Sequence, residues 1–288
     1  MFDDNESLAQ ARQRNIQDAL REDIGRGDWT AQLVPAGRPV RAQVRVREQA
    51  VLCGRDWFDG VFAALDKTAQ IDWRYAEGAL MAADSIVCDI EADARLLLSA
   101  ERPALNFLQL LSGTATTTRA HVDAIQGASS NAGGCAVLDT RKTIPGLRLA
   151  QKYAVRVGGG ANQRLALYAG ILIKENHIAA AGGVALALRA AQALASGVDI
   201  QIEVESMAQL QEALGAGAVS VLLDNFSDTM MREAVALTGG RALLEVSGGV
   251  ALDQLRWIAA TGVDRISIGR LTKDVRAVDY SMRVSGLA

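Results

Sequence analysis

An α/β fold in two parts, a compact mixed region followed by a βα barrel of the triosephosphate-isomerase type, is what three observations on these 288 residues predict. Short β-branched runs alternate with amphipathic helical stretches from residue 135 onward, the pattern of a parallel sheet with helical crossovers. The last four runs centre on residues 202, 222, 244 and 266, a step of 20 to 22 residues that suits one βα unit of a barrel. Glycine is unevenly spread, six of 27 lying in the first hundred residues, so the second part is turn-dense and built differently from the first. At about 150 residues per domain the length suits two domains.

In the first part, residues 14–25 read as a helix, residues 40–54 (VRAQVRVREQAVLCG) alternate as a strand should, and residues 85–98 read as short mixed pieces. Residues 103–126 predict a long helix opening with Pro103 in its first turn, where a missing N–H costs nothing. That helix is the expected domain junction. The expected division is 1–115, joined by the C-terminal 274–288, against 116–273 for the barrel. The barrel strands are AVLDT (136–140), ILIK (171–174), DIQIEVE (199–205), SVLLD (220–224), ALLEVS (242–247) and RISIG (265–269). No GxGxxG turn follows the first of them, so the dinucleotide-binding version of an open sheet lacks its signature.

Composition narrows the function. A net charge of −3 and 22% charged residues are ordinary for a soluble globule and disfavour a nucleic-acid binder with a broad basic surface. Cys53, Cys88 and Cys135 lie far apart and form no CxxC, which argues against a disulfide framework or a thiolate metal site and suits a reducing cytoplasm. The polar start MFDDNESLAQARQRN is unlike a secretory signal, and the apolar stretch 184–198 is broken by Arg189, too short for a bilayer span.

The active face of such barrels is the carboxyl end of the strands, so the chemistry is read from what each run ends in. The endings are Asp139 with Arg141 and Lys142, then Lys174, Glu203 with Glu205, Asp224, Ser247 with Gly248 and Gly249, and Gly269. Strand ends also meet solvent, and a single charge there needs no function. The set is more telling. Residues 141–174 hold seven basic residues and no acidic one in an otherwise acidic chain, a focus that attracts and orients anions. Of these, Arg148, Lys152 and Arg156, four apart, read as one solvated helix face. Two glycine-bearing turns end the last strands, where such barrels often cradle a phosphate on bare N–H groups. Glu203 and Glu205 share a strand face and Asp224 ends the next strand; such carboxylates can hold Mg²⁺ through water, bind ribose hydroxyls or stabilise a developing cation. The two histidines, His121 and His177, are too few for a histidine-rich zinc site, and no GxSxG elbow is present.

The segments ERPALNFLQLLSGTAT (101–116), LDTRKTIPGLR (138–148), KYAVRVGGGANQRLALYAGILIKENHI (152–178), IEVES (202–206), VLLDNF (221–226), EVSGGV (245–250) and GVDRISIGRLTK (262–273) together resemble the quinolinate phosphoribosyltransferase family, the carboxylating nicotinate-nucleotide pyrophosphorylases. LREDIGRGDWTA (20–31) is similar to that family's N-terminal segment, and the resemblance runs in order from about residue 18 to residue 283. It implies an N-terminal α/β sandwich plus an incomplete TIM-like barrel, assembled as a homodimer whose active sites are completed by the partner's N-terminal domain. It implies the reaction of quinolinate with phosphoribosyl pyrophosphate and Mg²⁺ to give nicotinate mononucleotide, CO₂ and pyrophosphate. By resemblance, Arg102 reaches across the interface to a quinolinate carboxylate, joined by Arg141, Gln163, Arg164 and Lys174. Lys142 lies between the substrates, Glu203 and Asp224 serve the ribose hydroxyls and Mg²⁺-pyrophosphate, and Ser247, Gly248, Gly249 and Gly269 hold the 5′-phosphate. A cation just before a helix start is unfavourably placed unless an anion arrives, which suits Arg102. One departure stands out: the family usually has Asn-His-Arg where this chain has Asn162, Gln163 and Arg164, and a glutamine carries no proton near neutral pH. That motivates a paralogue acting on another anionic base as one alternative; a lyase using Lys142 or Lys174 as a Schiff base is another.

Overall fold

The computed structural model describes residues 5–287. In chain order the elements are α1 (Leu8–Ile24), β1 (Pro39–Val46), β2 (Ala50–Val51), α2 (Arg55–Leu65), β3 (Gln70–Trp73), β4 (Leu80–Met81), β5 (Ile86–Asp93) and α3 (Ala94–Ile125). Then follow β6 (Ala136–Leu138), α4 (Arg148–Val157), β7 (Ile171–Ile173), α5 (Glu175–Ala181), α6 (Val184–Ala193), β8 (Ile200–Val204), α7 (Met207–Gly215) and β9 (Ser220–Asp224). Last come α8 (Asp228–Thr238), β10 (Leu243–Ser247), α9 (Leu255–Ala259), β11 (Arg265–Ser267), α10 (Arg270–Lys273) and β12 (Tyr280–Leu287). They divide into two compact units, one holding the described residues up to Arg119, Thr143–Gly159 and those from Leu271 on, the other Ala120–Lys142 and Gly160–Arg270.

The first unit is an antiparallel sheet in the order β12–β1–β5–β3 with helices on its apolar face. Along β1 the residues Val40, Ala42, Val44 and Val46 are buried while Arg41, Gln43 and Arg45 alternate outward, the period-two pattern of a half-buried strand. The inner face meets Trp57, Phe58 and Phe62 of α2 and Leu105, Leu108 and Leu111 of α3, all fully buried or nearly so. Each such side chain contributes about 1.5–3 kcal/mol. α1 starts at Leu8, ahead of the expected residue 14, because Ser7 and Gln10 form a reciprocal capping box.

The start of α3 corrects the sequence reading more substantially. Asp93 Oδ1 accepts the N–H groups of Arg95 (2.9 Å) and Leu96 (3.3 Å), so the helix is capped at Asp93 and Pro103 lies inside it. Arg102 is therefore a mid-helix residue, exposed to solvent, and the dipole argument for an anion beside it does not hold. The segment Thr143–Gly159 also moves. Ala150 and Ala154 of α4 join the core that contains Trp57, and the rings of Trp57 and Tyr153 lie 5.5 Å apart, so this stretch belongs to the first unit and not to the barrel. Lys152 on that helix is 3% exposed and so is no part of a solvated face.

The second unit is a six-stranded parallel sheet in the order β6–β11–β10–β9–β8–β7. First strand beside last is the cyclic order of a barrel, interrupted between β6 and β7. The free edge of β6 carries a single bridge from Ala161, whose N–H donates to the Val137 carbonyl at 2.8 Å. The alternation of each strand sends Leu172, Gln201, Glu203, Leu222, Glu245, Ser247, Arg265 and Ser267 to the barrel interior, where they line one of two cavities.

Within the first unit α3 passes very close to the chain after α10: a Cβ on Gly113 would overlap the Arg276 carbonyl. Gly113→Ala should therefore cost about 1–3 kcal/mol by overpacking. Urea unfolding is the check: the midpoint should fall with the slope unchanged, and an unmoved midpoint would refute the close approach.

Candidate active site

At the carboxyl end of the barrel strands a cavity of about 180 Å³ is lined by Thr140, Arg141, Lys142, Gln163, Arg164, Leu172, Lys174, Glu203, Leu222, Glu245, Ser247 and Ser267. Its basic side is built from two loops. Arg141 and Lys142 follow β6, and Arg164 stands in the irregular segment that fills the gap before β7, its Nη1 donating to the Gly170 carbonyl at 2.8 Å. Burial and the Arg141 charge both push the Arg164 pKa down, in that order of size. Neither guanidinium is paired with a carboxylate among the described residues. Two neighbouring cations, Arg164 half-buried and Arg141 exposed, are suited to an anion between them.

Across the cavity Lys174 Nζ lies 3.3 Å from Glu203 Oε2, a carboxylate whose side chain is only 10% exposed. Burial raises the Glu203 pKa, Lys174 works against that rise, and Asp224 and Glu175 add to it. Glu203 faces the cavity while Glu205, just past the end of β8, is exposed and lies outside its lining. Asp224 is also outside the lining, yet its charge reaches Glu203.

The turn after β10 is shaped by glycine. Gly248 and Gly249 have φ of 106° and 63°, and a Cβ on Gly248 would lie 2.9 Å from Asn225 Oδ1. Gly269, after β11, would with a Cβ stand 3.0 Å from Lys142 Cδ. Both turns leave bare backbone where a side chain would intrude. Gln163 is differently used: its Oε1 accepts the Arg164 N–H (2.6 Å) and its Nε2 donates to Gln201 and to the buried Glu245 (2.7 and 3.1 Å). His177 caps α5, its Nδ1 accepting the Lys174 N–H at 3.1 Å. Arg102 is in the first unit, exposed and without an ion pair among the described residues.

The family models for the quinolinate phosphoribosyl transferase N-terminal and C-terminal domains match residues 28–112 and 114–283. The chain belongs to the quinolinate phosphoribosyltransferase family. It is 42% identical to the nicotinate-nucleotide pyrophosphorylase [carboxylating] of Mycobacterium leprae, covering 94% of this chain and 96% of that one. Against the probable enzyme of the same description from Bacillus subtilis the identity is 38%, over 92% and 90% of the two chains. The solved nicotinate-nucleotide pyrophosphorylase of Francisella tularensis superposes with a TM-score of 0.91 at 42% identity, over 98% of this chain and all of that one.

Among the residues that escaped the sequence reading as functional are Gln201, Glu245 and Asn162. The signal was present for the first two. Gln201 lies two residues before Glu203 on the same strand face, and Glu245 two before Ser247, so period two aims both into the barrel beneath the rim. Among the described residues no group of three or more His, Cys, Asp or Glu is placed to hold a metal ion, and no helix is long and apolar enough to cross a membrane.

The Arg141–Arg164 repulsion is open to a ligand-free measurement. Arg141→Ala should raise the melting temperature of the ligand-free protein by roughly 1–2 °C at low salt, and the gain should vanish in high salt because exposed charges are screened. A lowered melting temperature would show that the two cations do not oppose each other.

Proposed function

We propose that this chain catalyses decarboxylating phosphoribosyl transfer: quinolinate and phosphoribosyl pyrophosphate give nicotinate mononucleotide, CO₂ and pyrophosphate, as the names of its relatives suggest. The observation that carries this reading is the pair Arg141 and Arg164, two neighbouring guanidiniums with no carboxylate between them, set opposite Glu203. Adjacent carboxylates on one ring need such a pair. Lys174 is engaged in an ion pair with Glu203, a contact that a free Schiff-base amine would have to give up.

Arg141, Arg164 and Lys174 clamp the quinolinate dianion, and Lys142 stands beside the glycine turn of Gly269, between base and sugar. Ser247, Gly248, Gly249 and Gly269 receive the 5′-phosphate on backbone N–H groups that no Cβ obstructs. Glu203 and Asp224 face the ribose. The bond from ribosyl C1′ to pyrophosphate breaks, giving a carbon of oxocarbenium character that these two carboxylates stabilise, and the ring nitrogen forms the new C–N bond. The quaternised ring takes up the electron pair left when the 2-carboxylate departs as CO₂, and a proton then fills that carbon. Two carboxylates suit Mg²⁺ bound mainly by phosphate oxygens and water, and do not suit an all-protein cage. When bound, that ion neutralises the departing pyrophosphate. Exposed, and without an ion pair among the described residues, Arg102 is the residue assigned to a neighbouring protomer's quinolinate in a cytoplasmic homodimer.

The decisive assay incubates the protein with quinolinate, phosphoribosyl pyrophosphate and Mg²⁺ and follows CO₂ and pyrophosphate together. Their equimolar release is the expected result, and pyrophosphate without CO₂ would point to another base. Arg141→Ala should weaken quinolinate binding by about 2–5 kcal/mol, the cost of stranding a buried carboxylate; unchanged affinity would end the clamp assignment. Burial favours the protonated form of Glu203, so its ionised, active form accumulates only as pH rises through a pKa above that of an ordinary glutamate. The acid limb of kcat/KM should lie correspondingly high and flatten in Glu203→Gln; a limb that survives the substitution would belong to another group.

A further inference from the structure

The reaction proposed above makes no use of Glu245, a carboxylate with no exposure at all in the middle of β10. Between its register neighbours Leu222 and Arg265, the side chains that donate to it are amides. Gln163 Nε2 lies 3.1 Å from both of its oxygens, and Gln201 Nε2 donates to Oε2 at 3.0 Å. Gln163 Nε2 also donates to Gln201 Oε1 at 2.7 Å, which closes a triangle across the barrel. That layer lies between two cavities. Above it Glu245 lines the active-site cavity, and below it Gln201 lines a second one of about 470 Å³, with Ile171, Ile200, Ser220, Leu243 and Arg265, the first residues of five strands.

The triangle has a direction that reaches Arg164. Because Gln163 turns its NH₂ group toward Glu245 and Gln201, its carbonyl oxygen is left to accept the Arg164 N–H at 2.6 Å. A second fully buried carboxylate, Asp139, holds the same segment from the β6 side, accepting the Gln163 N–H at 2.9 Å and the Asn162 amide at 2.6 Å. The strands that would close the barrel are missing here, so no sheet ladder fixes residues 162–164. A carboxylate accepts at both oxygens and donates at neither, which lets both amides point their NH₂ groups at position 245; a third amide would bring donor against donor and let Gln163 turn over.

We propose that Glu245 is a positioning residue: acting through the Gln163 amide, it sets the backbone of Arg164 and thereby the geometry of the anion clamp. This rests on the reading of the cavity as a dianion site, so the test uses one readout with a ligand and one without. Calorimetric titration with benzene-1,2-dicarboxylate, which cannot react, should show about tenfold weaker binding to Glu245→Gln than to the wild type. The melting temperature serves as the folding control. The exchanged pair Q163E/E245Q restores one acceptor-only group between two amides and should recover affinity to within about threefold of wild type, the coupling expected of residues in one network. Without ligand, phenylglyoxal should modify Arg164 faster in Glu245→Gln than in wild type, measured against Arg141 in the same digest, and the exchanged pair should slow it again. Wild-type protein that fails to bind the dianion would sink the functional reading alone, and the modification rates then decide the proposal. Equal Arg164 rates in wild type and Glu245→Gln, or an affinity loss that the exchange does not repair, would overturn it.

Discussion

Two guanidinium groups beside each other, one exposed at Arg141 and one partly withdrawn from water at Arg164, repel, and the second unit must hold them there with no ligand to help. Arg141 follows β6 directly and takes its place from the sheet. Arg164 has no strand beneath it; it is held by the Gly170 carbonyl and by its own N–H bonded to Gln163. The organisation around this pair follows from that demand. Buried carboxylates, usually costly, are tolerated at Asp139 and Glu245 because they are saturated by amide donors and fix a segment that the sheet does not reach.

The opposite side of the cavity is built on rigid elements. Lys174 and Glu203 stand at the ends of adjacent strands, the exposed lysine paired with the largely buried carboxylate so that the latter is not left alone. Lys174 lines the same cavity as the two arginines, and its release from Glu203 would raise that carboxylate's affinity for protons. The glycine turns contribute no charge; their part is to keep side chains out of the way.

Much of this was legible in the sequence, and what escaped it did so for identifiable reasons. The 20–22-residue step located β8 to β11 within a residue or two, and reading strand ends alone named Arg141, Lys142, Lys174, Glu203, Asp224 and Ser247. The start of α3 was missed because Pro103 looked like a first-turn residue, while the true cap, Asp93, sits at the end of a strand and resembles one more alternating position. Helix α4 was assigned to the barrel because it lies between two barrel strands in the chain; only the packing of Ala150 and Ala154 with the Trp57 core shows otherwise. Gln201 and Glu245 carry local signals, but their meaning depends on partners 38 and 82 residues from Gln163, a pairing set by strand order and not by spacing.

The same reasoning explains why the departure at Gln163 fits this chain. A residue at that position which only touched substrate would be free to vary with the substrate. Here the side chain has three simultaneous obligations, to Gln201, to Glu245 and to the backbone of Arg164, and an amide meets all three because it accepts at one end and donates at the other. A carboxylate at 163 would face Glu245 with like charge, and any acceptor-only group would leave it without that donor. The identity of residue 163 is thus set from beneath, by the buried carboxylate and the Gln201 amide, before any substrate is considered. In the proposed reaction the charges of Arg141, Arg164 and Lys174 are the ones that meet the ligand, and the proposed part of the polar layer below is to set how firmly Arg164 is aimed.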